Sequence, residues 1–155
     1  MSAQANSNPT PLAVESEAVR AYLPMIQSVI TRLAGNSASC KTWCVTLISA
    51  LTVLAIDKGK PNAILIAFIP AGVFFFLDAY YLSLERDFRD LYNGFVKKLH
   101  DGQAAKSDLY ILKPENYGLI HRTGAMISTI FSLSITPFYG VLLLAILIAK
   151  RAISP

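Results

Sequence analysis

A single carboxylate stands at the end of a phenylalanine-rich apolar run. Asp78 directly follows Phe74-Phe75-Phe76-Leu77, and Tyr80 and Tyr81 come soon after it. A charged group in such a run is costly if it faces lipid, so we expect Asp78 to face protein or water. It either marks the cytoplasmic edge of a membrane, with the two tyrosines as an aromatic belt, or lies at the mouth of a cation-conducting pore.

Hydroxyl side chains recur along the C-terminal apolar segment at helical spacing. Ser128, Ser132, Thr136 and Tyr139 follow one another at intervals of four, four and three residues, which predicts one face of a helix. Such hydroxyls either serve helix packing within a membrane or line a pore formed by several copies of the chain. Pro137 predicts a bend or hinge in this segment.

Four basic residues follow Asp78 on or near one predicted helix: Arg86, Arg89, Lys97 and Lys98. In one interpretation they are ordinary anchors on the cytoplasmic side of a membrane. In the other, a ring of subunits multiplies them into a positive collar that binds an anionic ligand, such as a nucleotide or a short single strand.

The sequence does not indicate catalysis. Its two histidines, His100 and His121, lie in different segments, and it has no phosphate-binding glycine loop or recognisable nucleophile–base set. Cys40 and Cys44 are about one helical turn apart without further metal ligands nearby, so we expect reduced thiols packed in an interface. We therefore predict that the protein is not an enzyme and has no metal site and no cofactor.

The composition determines which elements can position these residues. The chain of 155 residues is 54% hydrophobic and 15% charged, whereas an average soluble domain has about 25% charged residues. This deficit of charge excludes a disordered chain and a nucleic-acid-binding tail, and it disfavours a soluble enzyme. The composition predicts one all-α integral membrane domain.

Three transmembrane helices are predicted from the apolar runs. Thr42–Ile56 and Asn62–Leu77 form a helical hairpin, with Gly59 and Pro61 ending one helix and starting the next. Thr123–Ala149 carries no charge and is long enough to span a bilayer with some tilt. Because three spans cannot enclose an aqueous path in one copy, a channel built from this chain must be a homo-oligomer.

The distribution of lysine and arginine predicts the orientation. Residues 1–11 carry no positive charge and are not a secretion signal. Half of the 14 lysines and arginines lie between the second and third spans, and only Lys150 and Arg151 follow the third. The positive-inside rule then places the N-terminus in the cytoplasm and the C-terminus in the periplasm of a bacterial inner membrane.

These predictions divide the chain into four parts. Residues 1–40 form a cytoplasmic amphipathic segment, 41–84 the transmembrane hairpin, 85–122 a cytoplasmic helix extension with a linker, and 123–150 the third span. The extension continues the second span without a helix breaker, so the second helix is long and leaves the bilayer.

Each cytoplasmic part is expected to be helical and amphipathic. In the first, Pro24 should kink or divide the helix, and the sequence Gly35-Asn36-Ser37 should end it. In the extension, an apolar stripe needs the N-terminal helix, other subunits or both to cover it. The stripe consists of Leu84, Phe88, Leu91, Phe95 and Leu99.

The run from Phe74 to Val96 resembles a segment of small bacterial membrane proteins encoded beside nucleotidyltransferase-type genes of phage-defence systems. It is most similar to the membrane effectors of the Hailong system. The residues that carry the resemblance are Leu77-Asp78-Ala79-Tyr80-Tyr81, Glu85-Arg86, Phe88-Arg89 and Leu91-Tyr92.

The resemblance implies a homo-oligomeric ion channel, with a tetramer favoured, that short DNA oligomers rich in deoxyadenosine hold inactive. A partner nucleotidyltransferase would make those oligomers as a second messenger. Their loss during infection would open the channel and depolarise the cell.

Three hypotheses of function follow. The first is a ligand-gated, pore-forming effector of anti-phage abortive infection. The second is a non-conducting anchor or scaffold that recruits a soluble partner through residues 84–122. The third is a membrane-embedded subunit of a transporter or enzyme, which requires a second membrane chain.

Overall fold

The computed structural model describes residues 12–59, 61–114, 126 and 128–153. Within these ranges the chain is helical and contains no strand, so the predicted all-α class is confirmed.

Three α-helices account for most of the described residues. They are α1 (Glu17–Asp57), α2 (Phe68–His100) and α3 (Thr136–Ile153). Two short 3₁₀ segments accompany them, Pro61–Ala67 between α1 and α2, and Lys106–Asp108 after α2. The helices α1 and α2 are about 60 and 50 Å long, longer than a bilayer is thick.

Helix α1 is one continuous element. Ser16 caps its N-terminus by accepting a hydrogen bond from the Val19 amide, and the helix passes through Pro24 without being divided. It also passes through Gly35-Asn36-Ser37, so the prediction that these residues end a first helix is wrong.

Helix α1 continues here because a seam of buried residues, recurring at helical spacing, runs through Gly35-Asn36-Ser37. Ile30, Leu33, Ser37, Cys40 and Cys44 are all buried and recur every three or four residues. Packing against α2 along this seam holds the backbone helical, and Gly35 has no αL turn to make. The seam is hidden in the sequence because one of its members, Ser37, is polar.

The hairpin turn has the predicted form. Helix α1 ends at Asp57, Gly59 takes a φ of +59°, and the 3₁₀ segment begins at Pro61. A glycine adopts this left-handed conformation without the steric cost that a Cβ adds. Helix α2 then returns antiparallel to α1.

The N-terminal part of α1 and the C-terminal part of α2 form one hydrophobic cluster. Tyr22, Ile26 and Ile30 of α1 pack against Phe95 and Leu99 of α2. The Tyr22 and Phe95 rings meet edge to face with their centres 4.9 Å apart. The N-terminal part of α1 therefore covers Phe95 and Leu99 and partly buries Phe88, whereas Leu84 and Leu91 lie outside this cluster. Whether other subunits also cover the stripe stays a prediction.

The other half of the hairpin forms a second cluster together with α3. Three small residues are buried in this cluster and let neighbouring backbones approach closely. They are Ala67, at the end of the 3₁₀ segment between α1 and α2, and Ala71 and Ala79 of α2. Tyr139 and Ile146 of α3 complete this cluster.

The third apolar segment is not one continuous helix. Residues 128–130 are helical, residues 131–135 form turns, and α3 begins at Thr136. Pro137 is the physical reason, because it has no N–H to continue a helix but fits the first turn of a new one. The Thr136 hydroxyl donates to the Ile130 carbonyl across the break at 2.8 Å. Residues 115–125, where the predicted span begins, lie outside the described residues.

The outer faces of the helices are apolar and exposed. Val53, Ile69, Val141 and Leu133 each expose more than half of their surface. Two helices are long and apolar enough to cross a membrane, and only 22% and 28% of their most apolar windows are buried. A core helix of a soluble protein would be mostly buried, so these exposed faces indicate association with a membrane.

Alanine substitutions at two glycines test the continuity of α1. An added Cβ meets no atom within 4 Å at either Gly35 or Gly59, so the backbone conformation alone decides the effect. We expect Gly35→Ala to raise the free energy of unfolding by about 0.5–1 kcal/mol, because alanine favours a helix interior. Gly59→Ala should lower it by about 1–2 kcal/mol, because alanine is strained at positive φ. Denaturant titration in mixed micelles measures both, and a destabilising Gly35→Ala contradicts the continuous helix.

Candidate functional site

Asp78 lies where α1, α2 and α3 meet, and it is completely buried. The Ser37 hydroxyl of α1 donates to Asp78 Oδ1 at 2.5 Å. The Lys41 ammonium, also on α1, lies 2.6 Å from Asp78 Oδ2 and 3.2 Å from the Ser37 hydroxyl oxygen. One carboxylate of α2 is thus held by two side chains that lie one turn apart on α1.

The third helix closes this junction. The Tyr139 ring is 4% exposed, and its hydroxyl lies beside Asp78 without completing a hydrogen bond of good geometry. The Phe138 ring lies below the Lys41 ammonium, with 6.0 Å between the nitrogen and the ring centre. We call Ser37, Lys41, Asp78 and Tyr139 the buried junction.

The contacts in the buried junction offset the free-energy cost of placing the Asp78 carboxylate among apolar helices. A lone carboxylate among apolar helices is destabilising, and a paired one is tolerated when its oxygens are contacted by donors or cations. Lys41 keeps 21% of its side chain exposed, because its long stem reaches in from the edge of the bundle.

The predicted pore-lining residues take different positions. Asp78 and Tyr139 come together in the buried junction, and Asp78 faces protein. Ser128 and Thr136 are exposed, whereas Ser132 is half-buried with its hydroxyl oxygen enclosed. The break at residues 131–135 separates them, so they do not form one stripe along a single helix. Their role in lining a pore between copies stays a prediction.

An apolar groove of about 410 Å³ lies between α2 and α3. Thr136 and Tyr139 line it on one side and Phe68, Gly72 and Phe75 on the other. The groove begins next to the buried junction, since the Phe75 and Tyr139 rings meet edge to face at 5.3 Å.

The four predicted ligand-binding residues are all exposed, and three of them have partners within the chain. Arg86 donates to the Thr129 hydroxyl at 3.2 Å, which ties α2 to the segment before α3. Arg89 pairs with Glu85 at 2.7 Å in the favoured i,i+4 order, and Lys98 pairs with Asp108 at 3.3 Å.

The structure groups three of these basic residues and separates the fourth. Helical rotation of about 100° per residue puts Arg86, Arg89 and Lys97 on one side of α2 and turns Lys98 away from them. We call Arg86, Arg89 and Lys97 the basic face.

Lys98 instead lines a cavity of about 340 Å³ beneath residues 101–114. This cavity also contains Asp87, Asp90 and Asp108, with Lys113 at its edge. Because carboxylates outnumber ammonium groups there, the cavity is not suited to a phosphate, and the basic face is the better anion surface.

Tyr22 of α1 holds the segment that covers this cavity, residues 101–114, against the helix. Its hydroxyl donates to the Ile111 carbonyl at 2.5 Å, and Tyr110 packs against its ring. Burial, and then the nearby Asp108 carboxylate, raise the pKa of Tyr22, so the hydroxyl remains a donor over the physiological range. His100 is exposed at the end of α2, and His121 lies outside the described residues.

The sequence analysis did not identify Ser37 or Lys41 as partners of Asp78. A signal was present, because Lys41 and Asp78 lie almost equally far along the chain from Gly59, and an antiparallel hairpin brings such positions together. Cys40 and Cys44 are free and buried in the same seam, as the packed thiols that the sequence predicts.

Comparison with protein-family models, with curated proteins and with solved structures finds no match to this chain.

Removing Lys41 from the ion pair should destabilise the protein more than removing Asp78. Lys41→Met leaves a buried carboxylate without its cation, and we expect a loss of about 3–5 kcal/mol. Asp78→Leu should cost less, because the Lys41 ammonium can withdraw to water along its stem. The double variant should recover most of the stability that Lys41→Met loses, because it no longer buries an unpaired carboxylate. Unfolding in mixed micelles measures the cycle, and additive losses would show that the two charges do not interact.

The Asp108 carboxylate should make stability depend on acid pH. The Ala105 amide, assisted by Lys98, lowers the pKa of Asp108, while burial opposes this effect. The bound, charged form therefore stabilises the fold above the unfolded pKa, and this contribution disappears as the pH falls through the lower folded pKa. We expect Asp108→Asn to cost about 0.5–1.5 kcal/mol near pH 7, and this cost should decrease progressively as the pH falls below about 4.

Thermal unfolding of the wild type and of Asp108→Asn across this range checks the prediction. Asp101→Asn, a nearby exposed carboxylate at the end of α2, is the matched control. If the difference in stability between the wild type and Asp108→Asn does not change with pH, the prediction is contradicted.

Proposed function

We propose that this chain is a subunit of a homo-oligomeric ion channel, with a tetramer favoured, that acts as the membrane effector of a bacterial anti-phage abortive-infection system. It crosses the inner membrane three times, with the N-terminus in the cytoplasm and the C-terminus in the periplasm. An anionic ligand, a nucleotide or a short DNA oligomer made by a partner nucleotidyltransferase, gates it, and opening depolarises the cell.

The observation that carries this proposal is the buried junction. Ionisable residues among apolar helices are rare and mark ion pathways more often than scaffolding. Here a carboxylate and an ammonium are held at the meeting point of all three helices, where a change in helix packing would expose them.

The exposed apolar faces favour several copies. Within the described residues, one copy has no open path past Asp78, because the carboxylate is covered by α1 and α3. A water-filled path therefore has to lie between copies, and the outer faces with Val53, Ile69 and Val141 are available to lipid or to neighbouring subunits.

The basic face favours gating by an anion. Arg86 and Arg89 are exposed and donate to the Thr129 hydroxyl and the Glu85 carboxylate, so a phosphate can compete for both guanidinium groups. Displacing Arg86 removes one of the contacts that tie α2 to the segment leading into α3. Binding at the basic face is thus connected to the helix that covers Asp78.

The gating proposal predicts a loss of oligonucleotide binding. With a deoxyadenosine hexamer as the probe, we expect the Arg86→Gln, Arg89→Gln double variant to weaken binding at least about tenfold. The magnitude of the slope of log K against log salt should fall by about 0.7 for each lost phosphate contact, the value for a single strand. Arg20→Gln, which removes an exposed arginine of α1, is the matched control.

Channel activity is measured separately, as membrane potential in bacteria expressing the chain and as K⁺ flux from proteoliposomes. The proposal expects depolarisation and a flux that the hexamer changes. A clean, inserted oligomer that never conducts, with or without the hexamer, would falsify it.

A second candidate is a non-conducting scaffold that recruits a soluble partner through residues 84–122. The observation that favours it is an exposed apolar group, Tyr110, Ile111 and Leu112, on the segment that Tyr22 holds. This candidate expects partner capture that survives Ser132→Leu and Thr136→Leu, without toxicity on overexpression.

A further inference from the structure

The buried junction contains oxygen atoms that the described residues do not satisfy. Asp78 Oδ2 and the Tyr139 hydroxyl are both enclosed, and neither completes a hydrogen bond there. The Lys41 ammonium touches Oδ2 as an ion, off the direction of a hydrogen bond. Buried acceptors in this condition are stabilised by a positive charge beside them.

The groups around the Lys41 ammonium, oxygen atoms and an aromatic face, are of the kinds that bind a small monovalent cation. It lies 2.6 Å from a carboxylate oxygen and 3.2 Å from the Ser37 hydroxyl oxygen, and an aromatic face, that of Phe138, lies 6.0 Å away. The Tyr139 hydroxyl adds a further oxygen at the same place.

The charge of the site selects among cations. Within the described residues the junction has one carboxylate and neutral hydroxyls, whereas Ca²⁺ sites in proteins use six to eight oxygen ligands and often several carboxylates. One negative charge balances one positive charge, which favours K⁺ or Na⁺ over a divalent ion.

We propose that Ser37, Asp78 and Tyr139 form a monovalent-cation site, and that the ammonium of Lys41 occupies it in this structure as a tethered competitor. The ammonium enters on a flexible stem that is partly exposed, so it can withdraw to the edge of the bundle. This inference deepens the proposed function and rests on it for its consequence, since withdrawal of Lys41 would offer the carboxylate to a permeating cation.

The first test measures cation binding without requiring conduction. The full-length Lys41→Met variant in lipid nanodiscs is unfolded by heat in KCl and in N-methylglucamine chloride of equal ionic strength. We expect its Tm to be higher in KCl by about 4–8 °C, because K⁺ replaces the lost ammonium. The wild type should show the same Tm in both salts.

Three variants make this test specific. Lys106→Met removes an exposed lysine outside both the basic face and the buried junction, and it should behave as the wild type. Adding Asp78→Asn to Lys41→Met should abolish the response to K⁺, and adding Tyr139→Phe should reduce it. If Lys41→Met folds in neither salt while the double variant with Asp78→Asn folds in both, K⁺ does not bind the site and the inference is wrong.

Flux from proteoliposomes separates this inference from the proposed channel. Stabilisation by K⁺ without flux in any variant supports the cation site and overturns the channel. Flux in the wild type, with neither stabilisation nor an increase of at least about tenfold in Lys41→Met, supports the channel and overturns the cation site. A tenfold increase that Asp78→Asn removes, together with stabilisation, supports both.

Discussion

Burial of the Asp78 carboxylate is the constraint on which the rest of the structure depends. A charge among apolar helices is stable only with a cation and donors at fixed distances, and here they come from Lys41 and Ser37 on the neighbouring helix. A shift of α1 along α2 by one turn would separate these groups. The pair therefore sets the register of two long helices whose other contacts are apolar and less specific.

The same junction determines where the third segment lies. Tyr139 reaches Asp78 only because the chain breaks at residues 131–135 and starts a new helix. With α3 so placed, its first turns cover the carboxylate, and Ile146 reaches the apolar cluster near the hairpin turn. The break that interrupts the polar stripe is thus the feature that closes the junction.

Continuity of α1 and α2 connects the two hydrophobic clusters of the molecule. Arg86 lies two turns beyond Asp78 on the same helix and contacts Thr129 ahead of α3. A ligand at the basic face and a cation at the junction would therefore act on one packed unit, in which the same third segment contacts both places. Coupling of this kind needs a two-state element that both sites bias, and the segment around Thr129 is the element placed to be one.

The sequence by itself determined the all-helical class, the apolar hairpin with Gly59 at its turn and the long second helix. These features depend on local spacing, backbone freedom and composition, which neighbouring residues carry. Only the tertiary structure decided that α1 continues through Gly35 and that Lys41 meets Asp78. These depend on contacts between residues far apart in the chain, where packing against a second helix outweighs the local preference of a glycine or a serine.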